Sequence, residues 1–493
     1  MSTVDTFSTA CEMLGALRRR EISAVELLAL HLAQIERRNA ALNAIVIPDF
    51  EAACRAAEAA DRRRGHGEDA PLLGLPYTVK DWIEVAGLRS TAGDPNMAHY
   101  RATADSRVVS RLRAAGAVLL GKTNMAPWGD DFVTDNPVFG RTVNPWNPDY
   151  TPGGSTGGGA AAVAAGLTPL EIGNDIGGSV RIPPAFCGAY GHKPSETALP
   201  RTGQTPDPSG LHLPNPASGL AVIGPLARSA DDLELALDVA SGPDQGEDIA
   251  WRLAIPPARA GRLADFRVAV LAPMRWLPMD SEIVAAGDRL AAGLARLGAR
   301  VERVEDGAFG NTRDLYKLWG RLAIVLMTPW DLPLERRREI AEWGRRMGEE
   351  RDDEFMQSSA AAFEATAQDY LAWFSERERF RAAYRAFFGE WDVLLTPVAF
   401  SVAFCHDAAP RGVDRDDLTL TVDGKSVPYM RLAVYPALAT ACGQPATAFP
   451  FGLTRGGLPI GLQAIGPYLE DRTPLRFAAL VAREFGGYQR PPE

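Results

Sequence analysis

Two serines in this chain sit in glycine-rich settings: Ser155 in GGSTGG and Ser179 in DIGGSVRIP. Glycines beside a serine let backbone N–H groups approach a ligand closely. Clustered N–H groups near a hydroxyl are what acyl transfer needs to hold an oxyanion. Behind two glycines, Ser179 has the N–H groups of Ile176, Gly177 and Gly178, and its own, to form such a cradle. One Gly-Ser cluster is ordinarily a turn. Two of them, joined by the small-residue run Ala160 to Ala165 and a short apolar strand, point to a site. A serine hydroxyl also needs a base, and Lys80 closes the strand-like stretch from Leu75 to Val79. From the strand alone two fates stay open for it. The amine snorkels to the surface, or it is buried with its pKa lowered into the range that suits a base.

Three competing patterns are set aside. Gly116 to Thr123 matches GxxxxGK[ST], but a phosphate loop needs a strand before it and a helix after it. Here a helix (Ser106 to Ala115) precedes Gly116 and a strand (Ala117 to Leu120) fills the supposed loop. Gly153 to Gly157 matches GxSxG, yet NPWNPDYTP precedes it where a nucleophile elbow needs a buried strand. A Ser-His-Asp triad would need one of six histidines; His31 lies in a helical stretch and His66 in a charged loop, while His192 and His212 remain conceivable.

Composition narrows the classes further. The 493 residues carry a net charge of −10, which lacks the basic balance of a nucleic-acid binder. Five scattered cysteines give no zinc spacing, and they fit a reduced, cytoplasmic compartment. No apolar run nears the ~18 residues of a membrane span, and the N-terminus lacks a signal-peptide pattern.

These residues need a framework. Residues 8–64 read as helices, with Ser23 and Glu26 forming a capping box, and Leu42 to Ile47 as a short strand. Residues 195–218, rich in Pro, Gly and Ser, read as a long loop of the kind that is often functional. Further strands are expected at 266–271, 301–304, 393–397, 447–451 and 460–465, and helices at 281–297 and 475–485. Residues 311–390 read as helical and carry Trp319, Trp330, Trp343, Trp373, Phe374, Phe380, Phe387 and Phe388 at spacings typical of core, with a substrate wall as the second reading. Strands alternating with helices predict an α/β fold whose sheet is covered on both faces.

Taken together, Leu75 to Asp81, GGSTGG and DIGGSVRIP resemble the amidase signature family. The resemblance extends through Leu42-Asn-Ala, GKTNM at 121–125, AFCGAYGHKPS at 185–195, IGPLARS at 223–229 and GLPIGLQAIG at 457–466, and is looser over 241–390. It implies one α/β/α domain over residues 1–493 around a mixed, twisted central sheet, with a variable helical region at about 311–390. It implies a Ser–cisSer–Lys triad: Ser179 as nucleophile, Ser155 as the bridging serine after a cis peptide from Gly154, and Lys80 as base. A lysine serves as base only if burial moves its pKa from ~10.4 toward ~7–8, roughly 4 kcal/mol of disfavoured charge. The amides of Ile176, Gly177, Gly178 and Ser179 align with the oxyanion hole. Met125, Trp128, Gly154 and Thr156 are expected to bind substrate, and Asp130, Asp131 or Arg201 to supply any charged clamp.

The expected function is a serine amidohydrolase cleaving apolar or aryl amides, with anilides, carbamates and esters chemically adjacent. No cofactor and no metal are expected, and the partner is a small-molecule amide or carbamate, with neither nucleic acid nor membrane. A monomer or homodimer is expected. Two alternatives are kept: a glutamine-hydrolysing subunit of a tRNA-dependent amidotransferase, and an inactive interaction protein on the same fold. Departures from the pattern bear on substrate. Thr156 stands where a second serine is frequent, Ile176 where the amidotransferase subunits tend to have Thr, and the 195–218 loop looks longer.

Overall fold

The computed structural model describes residues 4–209, 219–328, 331–411 and 413–492. Among these residues eleven strands form one mixed sheet. In chain order they are β1 (Ile45–Pro48), β2 (Pro76–Lys80), β3 (Val118–Thr123), β4 (Leu170–Asp175), β5 (Tyr190–Lys193), β6 (Val222–Ala227), β7 (Arg267–Leu271), β8 (Arg300–Val304), β9 (Val393–Pro397), β10 (Ala446–Leu453) and β11 (Pro459–Ile465). Across the sheet they run β1-β3-β2-β4-β6-β5-β10-β11-β9-β7-β8. The β3-β2-β4 and β9-β7-β8 stretches are parallel and the remaining pairs antiparallel.

Every residue of β2, β3, β6, β9 and β11 is buried. That is the signature of strands covered on both faces, and it explains their near-continuous apolar sequences. The outermost strand β8, Arg-Val-Glu-Arg-Val, is instead charged and mostly open, which blunts the sheet edge. The α/β class expected from the alternation of elements is the one observed.

Local differences have local causes. The helix Ala24–Leu42 starts at the expected Ser23–Glu26 capping box but runs through Leu42 and ends at Asn43 in the left-handed region. The strand expected from Leu42 therefore begins only at Ile45. The 311–390 region is four helices: Thr312–Met327, Leu334–Arg351, Glu354–Phe363 and Ala367–Glu390. Of the aromatics expected as core, Trp319, Trp373, Phe387 and Phe388 belong to a buried cluster there, with Phe374 and Phe380 partly buried against it. Trp330, and residues 210–218 of the long loop with His212, lie outside the described residues.

Candidate active site

Lys80 ends β2 between two parallel neighbours, and that placement decides its fate. The side chain is fully buried. Its Nζ lies 2.6 Å from Ser155 Oγ and 2.7 Å from Asn174 Oδ1. Ser155 Oγ in turn lies 2.9 Å from Ser179 Oγ. The three residues thus form one hydrogen-bonded line, and the peptide between Gly154 and Ser155 is cis. Burial pulls the Lys80 amine down to about 7, with Asp175 and Glu171 opposing the fall. An amine there is largely neutral just above pH 7, with a lone pair to accept a proton. Hydroxyl hydrogens rotate, so this line can carry a proton from Ser179 toward Lys80.

The turn that carries Ser179 is held by one carboxylate. Asp175, the last residue of β4, accepts from Gly178 N at 2.8 Å and Val180 N at 3.1 Å. It is also bidentate to Arg181, at 3.0 Å from Nε and 2.8 Å from Nη2, and both side chains are fully buried. Arg181 continues to the Pro436 carbonyl and Thr440 Oγ1, each at 2.8 Å. This clamp holds Asp175 below the usual carboxylate range against its burial. Gly178 has φ +112°, where a Cβ would also come within 2.8 Å of Pro436. The N–H of Gly178, expected as an oxyanion donor, is thus already engaged by Asp175. Among the described residues the amides of Ile176, Gly177 and Ser179 meet no hydrogen-bond acceptor.

Ser179 opens on two cavities. One, of about 710 Å³, is lined by Trp82, Trp128, Ser155, Ile176, Gln204 and Leu326, among others. Trp82 and Trp128 meet edge-to-face at 5.8 Å, and Trp128 Nε1 donates to Asp94 at 2.8 Å. The other, of about 370 Å³, is bounded by Phe132, Trp319, Ile324 and Phe355, and its lining also carries Asp130, Asp414 and Asp416. Trp319 Nε1 donates to the Ile176 carbonyl at 2.7 Å and so buttresses the serine turn. Burial and Asp131 push the Asp130 carboxyl up to about 6, and burial and Asp414 push Asp416 up to about 7. Asp131 is engaged by Arg415 at 2.8 Å and Tyr429 at 2.5 Å.

Of the four residues expected to contact substrate, Trp128 lines a cavity and the other three do not. Met125 is fully buried, because Asn136 Nδ2 binds both Asn124 Oδ1 and the Met125 carbonyl and draws this stretch inward. Gly154 packs on the 131–132 backbone, where a Cβ would lie 2.2 Å from the Asp131 carbonyl. Thr156 is buried at the head of the Gly157–Ala164 helix. Arg201 lies near Glu196, at 3.7 Å, and lines neither cavity.

The rejected patterns also have structural roles. Lys122 is buried, ion-paired to Asp81 at 3.2 Å and hydrogen-bonded to the Arg89 carbonyl at 2.7 Å. His192 is buried between Thr447 and Asp471, at 2.9 and 3.3 Å. Sequence reasoning missed Asn174, the Asp175–Arg181 clamp, Trp82 and the acidic side of the smaller cavity. Asn174, Asp175 and Arg181 flank the Ser179 turn directly, so they were within reach; Trp82 and Asp414 to Asp416 carry no local signal. Among the described residues no group of three or more His, Cys, Asp and Glu is placed to hold a metal, and no helix is long and apolar enough to cross a membrane.

Known proteins share this sequence and this architecture. The model of the Amidase family matches residues 26–475. One glutamyl-tRNA(Gln) amidotransferase subunit, from Thermus thermophilus, is 34% identical over 503 residues, covering 96% of this chain and 96% of that protein. The 6-aminohexanoate-cyclic-dimer hydrolase of Paenarthrobacter ureafaciens is 32% identical over 512 residues, covering 100% and 98%. A solved bacterial aryl acylamidase of the amidase signature family superposes with a TM-score of 0.77 at 26% identity, covering 97% of this chain and 96% of its own. The chain belongs to the amidase signature family and is a hydrolase of carbon–nitrogen bonds other than peptide bonds.

Proposed function

We propose that the chain cleaves apolar and aryl amides through an acyl-enzyme on Ser179. The observation that carries this reading is the buried line Ser179–Ser155–Lys80 opening on two cavities. Ser179 gives its proton to Ser155 as Ser155 passes its own to the neutral Lys80 amine. The freed Oγ adds to the substrate carbonyl carbon. The oxyanion is received by the N–H groups of Ile176, Gly177 and Ser179, which have no other acceptor among the described residues. Collapse breaks the C–N bond, and the leaving nitrogen takes the proton back from Lys80 through Ser155. Water then enters by the same relay, forming the acid and restoring Ser179. Anilides, carbamates and small esters present the same carbonyl to the same attack. We read residues 1–493 as one α/β/α unit, cytoplasmic, working on a small molecule as a monomer or homodimer. Retention of all three relay residues weighs against an inactive interaction protein.

The amidotransferase-subunit reading has sequence identity in its favour. The smaller cavity weighs against it. A glutamine site must hold an α-carboxylate, yet the cation among that cavity's described lining residues, Arg415, is already paired with Asp131. An unpaired carboxylate there would be costly.

The test is a fluorophosphonate label followed by peptide mapping. One labelled site, on Ser179, and loss of turnover in Ser179→Ala are expected. A label elsewhere, or undiminished turnover, overturns the assignment. Gel filtration of the purified chain, with assays on glutamine and a nitroanilide, separates a free amidase from an amidotransferase component.

A further inference from the structure

Glu171 of β4 is a fully buried carboxyl that the relay does not use. Its position follows from strand register. Glu171 pairs with Thr78 on β2, while Lys80 pairs with Thr123 on β3. Thr123 Oγ1 nevertheless donates to Glu171 Oε1 at 2.6 Å. Strand β2 runs between β3 and β4. The Glu171 side chain therefore crosses β2 to meet Thr123. Thr78 and Lys80 share the face it crosses, because alternate residues of a strand point the same way. The carboxyl thus lies on the same face of the sheet as Thr78 and Lys80, where its charge and that of Lys80 act on each other.

The surroundings of that carboxyl are closed. At Gly159, on the Gly157–Ala164 helix, a Cβ would lie 2.5 Å from Glu171 Cγ and 2.6 Å from Oε1. The helix backbone lies directly over the acid and leaves no room for a side chain. Oε2 has no hydrogen-bond partner among the described residues. An ionised carboxyl with one bare oxygen is disfavoured in such a place. Burial pushes Glu171 up to about 7, opposed by Thr123, Thr78 and Lys80.

Few other charges face this pair. Lys80 meets the neutral Ser155 and Asn174, and Asp175, whose charge is matched by Arg181 with Lys193 nearby. Glu171 meets Thr78, Thr123, Gly159 and, across from it on β6, Leu226. The Asp81–Lys122 pair belongs to residues adjacent to Lys80 and Thr123, on the opposite faces of their strands.

We propose that Glu171 is a positioning residue for the base: its charge, held on the same face of the sheet as Lys80, sets the pH at which that amine becomes free to accept a proton. A carboxylate there supports the ammonium form; a neutral group there favours the free amine. The inference rests on Lys80 being the base.

The experiment measures kcat/KM against pH on a nitroanilide for the wild type, Glu171→Gln, Thr123→Val and Lys80→Ala, with Tm recorded for each. Glu171→Gln keeps the shape and removes the charge, so its acid limb is expected about one pH unit lower than that of the wild type. Thr123→Val removes the bond that favours the carboxylate, so its limb moves the same way by less. Thr123→Val carries the test if Glu171→Gln fails to fold. Limbs that stay in place while Tm falls make Glu171 purely structural and overturn the proposal, as does a limb that moves upward. Lys80→Ala retaining the wild-type limb overturns the base assignment itself, which is a separate failure.

Discussion

The strands beneath Ser179 and the walls around it treat their polar groups differently. Below, Lys80, Ser155, Asn174, Asp175 and Arg181 are bonded to one another or to fixed backbone, at 2.6 to 3.1 Å. On the wall, Asp130, Asp414 and Asp416 face a cavity, and burial and mutual repulsion raise two of them toward neutrality. Groups bonded in this way hold one another, and removing one member disturbs the rest. The wall's carboxyls act on one another by repulsion, and Asp414 Oδ1 accepts from Asp416 N at 3.1 Å, but none is bonded to the floor's groups named above. On the proposed mechanism the reaction belongs to the floor and the choice of substrate to the wall, so mutations on the two should change different kinetic constants.

The largest effect is expected at the floor. Lys80→Ala and Ser155→Ala should each lower kcat about 10²- to 10⁴-fold on a nitroanilide, as for other positioned acid–base groups. The double variant should be little worse than either single, because the residues pass one proton along one path. Steady-state kinetics of the four forms measures this. Multiplying effects would split the floor into independent parts and break the contrast with the wall.

A second effect comes from titration of the floor. Lys80 must be neutral to accept a proton, and burial places it at about 7. Its charged form grows as pH falls, so kcat/KM should drop about tenfold per pH unit below that value and level off above it. A pH profile fastest near pH 5 would remove Lys80 from the role.

The floor was legible in the sequence because its parts are contiguous. GGSTGG leads into the Gly157–Ala164 helix and DIGGSVRIP runs from the end of β4 to the Ile182–Cys187 helix, so each motif keeps its serine in one short contiguous stretch. Lys80 was half legible: its place at a strand end was visible, but its burial comes from β3 and β4, which the strand itself does not encode. The bond from the Gly178 N–H to Asp175 was not legible, because Asp175, three residues upstream, looks like an ordinary strand-end aspartate. The burial of Met125 was hidden for a related reason, since its neighbour Asn124 is bound to Asn136 and the chain turns inward. The wall was scarcely legible. Residues 129–132, 176–179, 319–328, 355–363 and 414–416 meet only through tertiary packing, and the last of these carries no motif at all.

The smallest expected effect tests the wall alone. Asp130, Asp414 and Asp416 make the smaller cavity hostile to a second anion, because the neighbouring guanidinium of Arg415 is already bound to Asp131. An acyl group carrying a terminal carboxylate must bring that charge to these carboxyls, whereas an uncharged acyl group of equal length does not. Asp416→Asn removes one such charge while leaving the Ser179–Ser155–Lys80 line untouched. Its kcat/KM for the carboxylate-bearing anilide should rise several-fold, on the order of 1 kcal/mol for a partly screened charge pair. The uncharged anilide should stay within about twofold, and the gain should appear in KM, since binding and transition state feel the distant charge alike. The advantage should shrink below pH 7, where Asp416 in the wild type takes up a proton and matches the variant. A change in kcat on the uncharged anilide would mean that this wall reaches the floor after all.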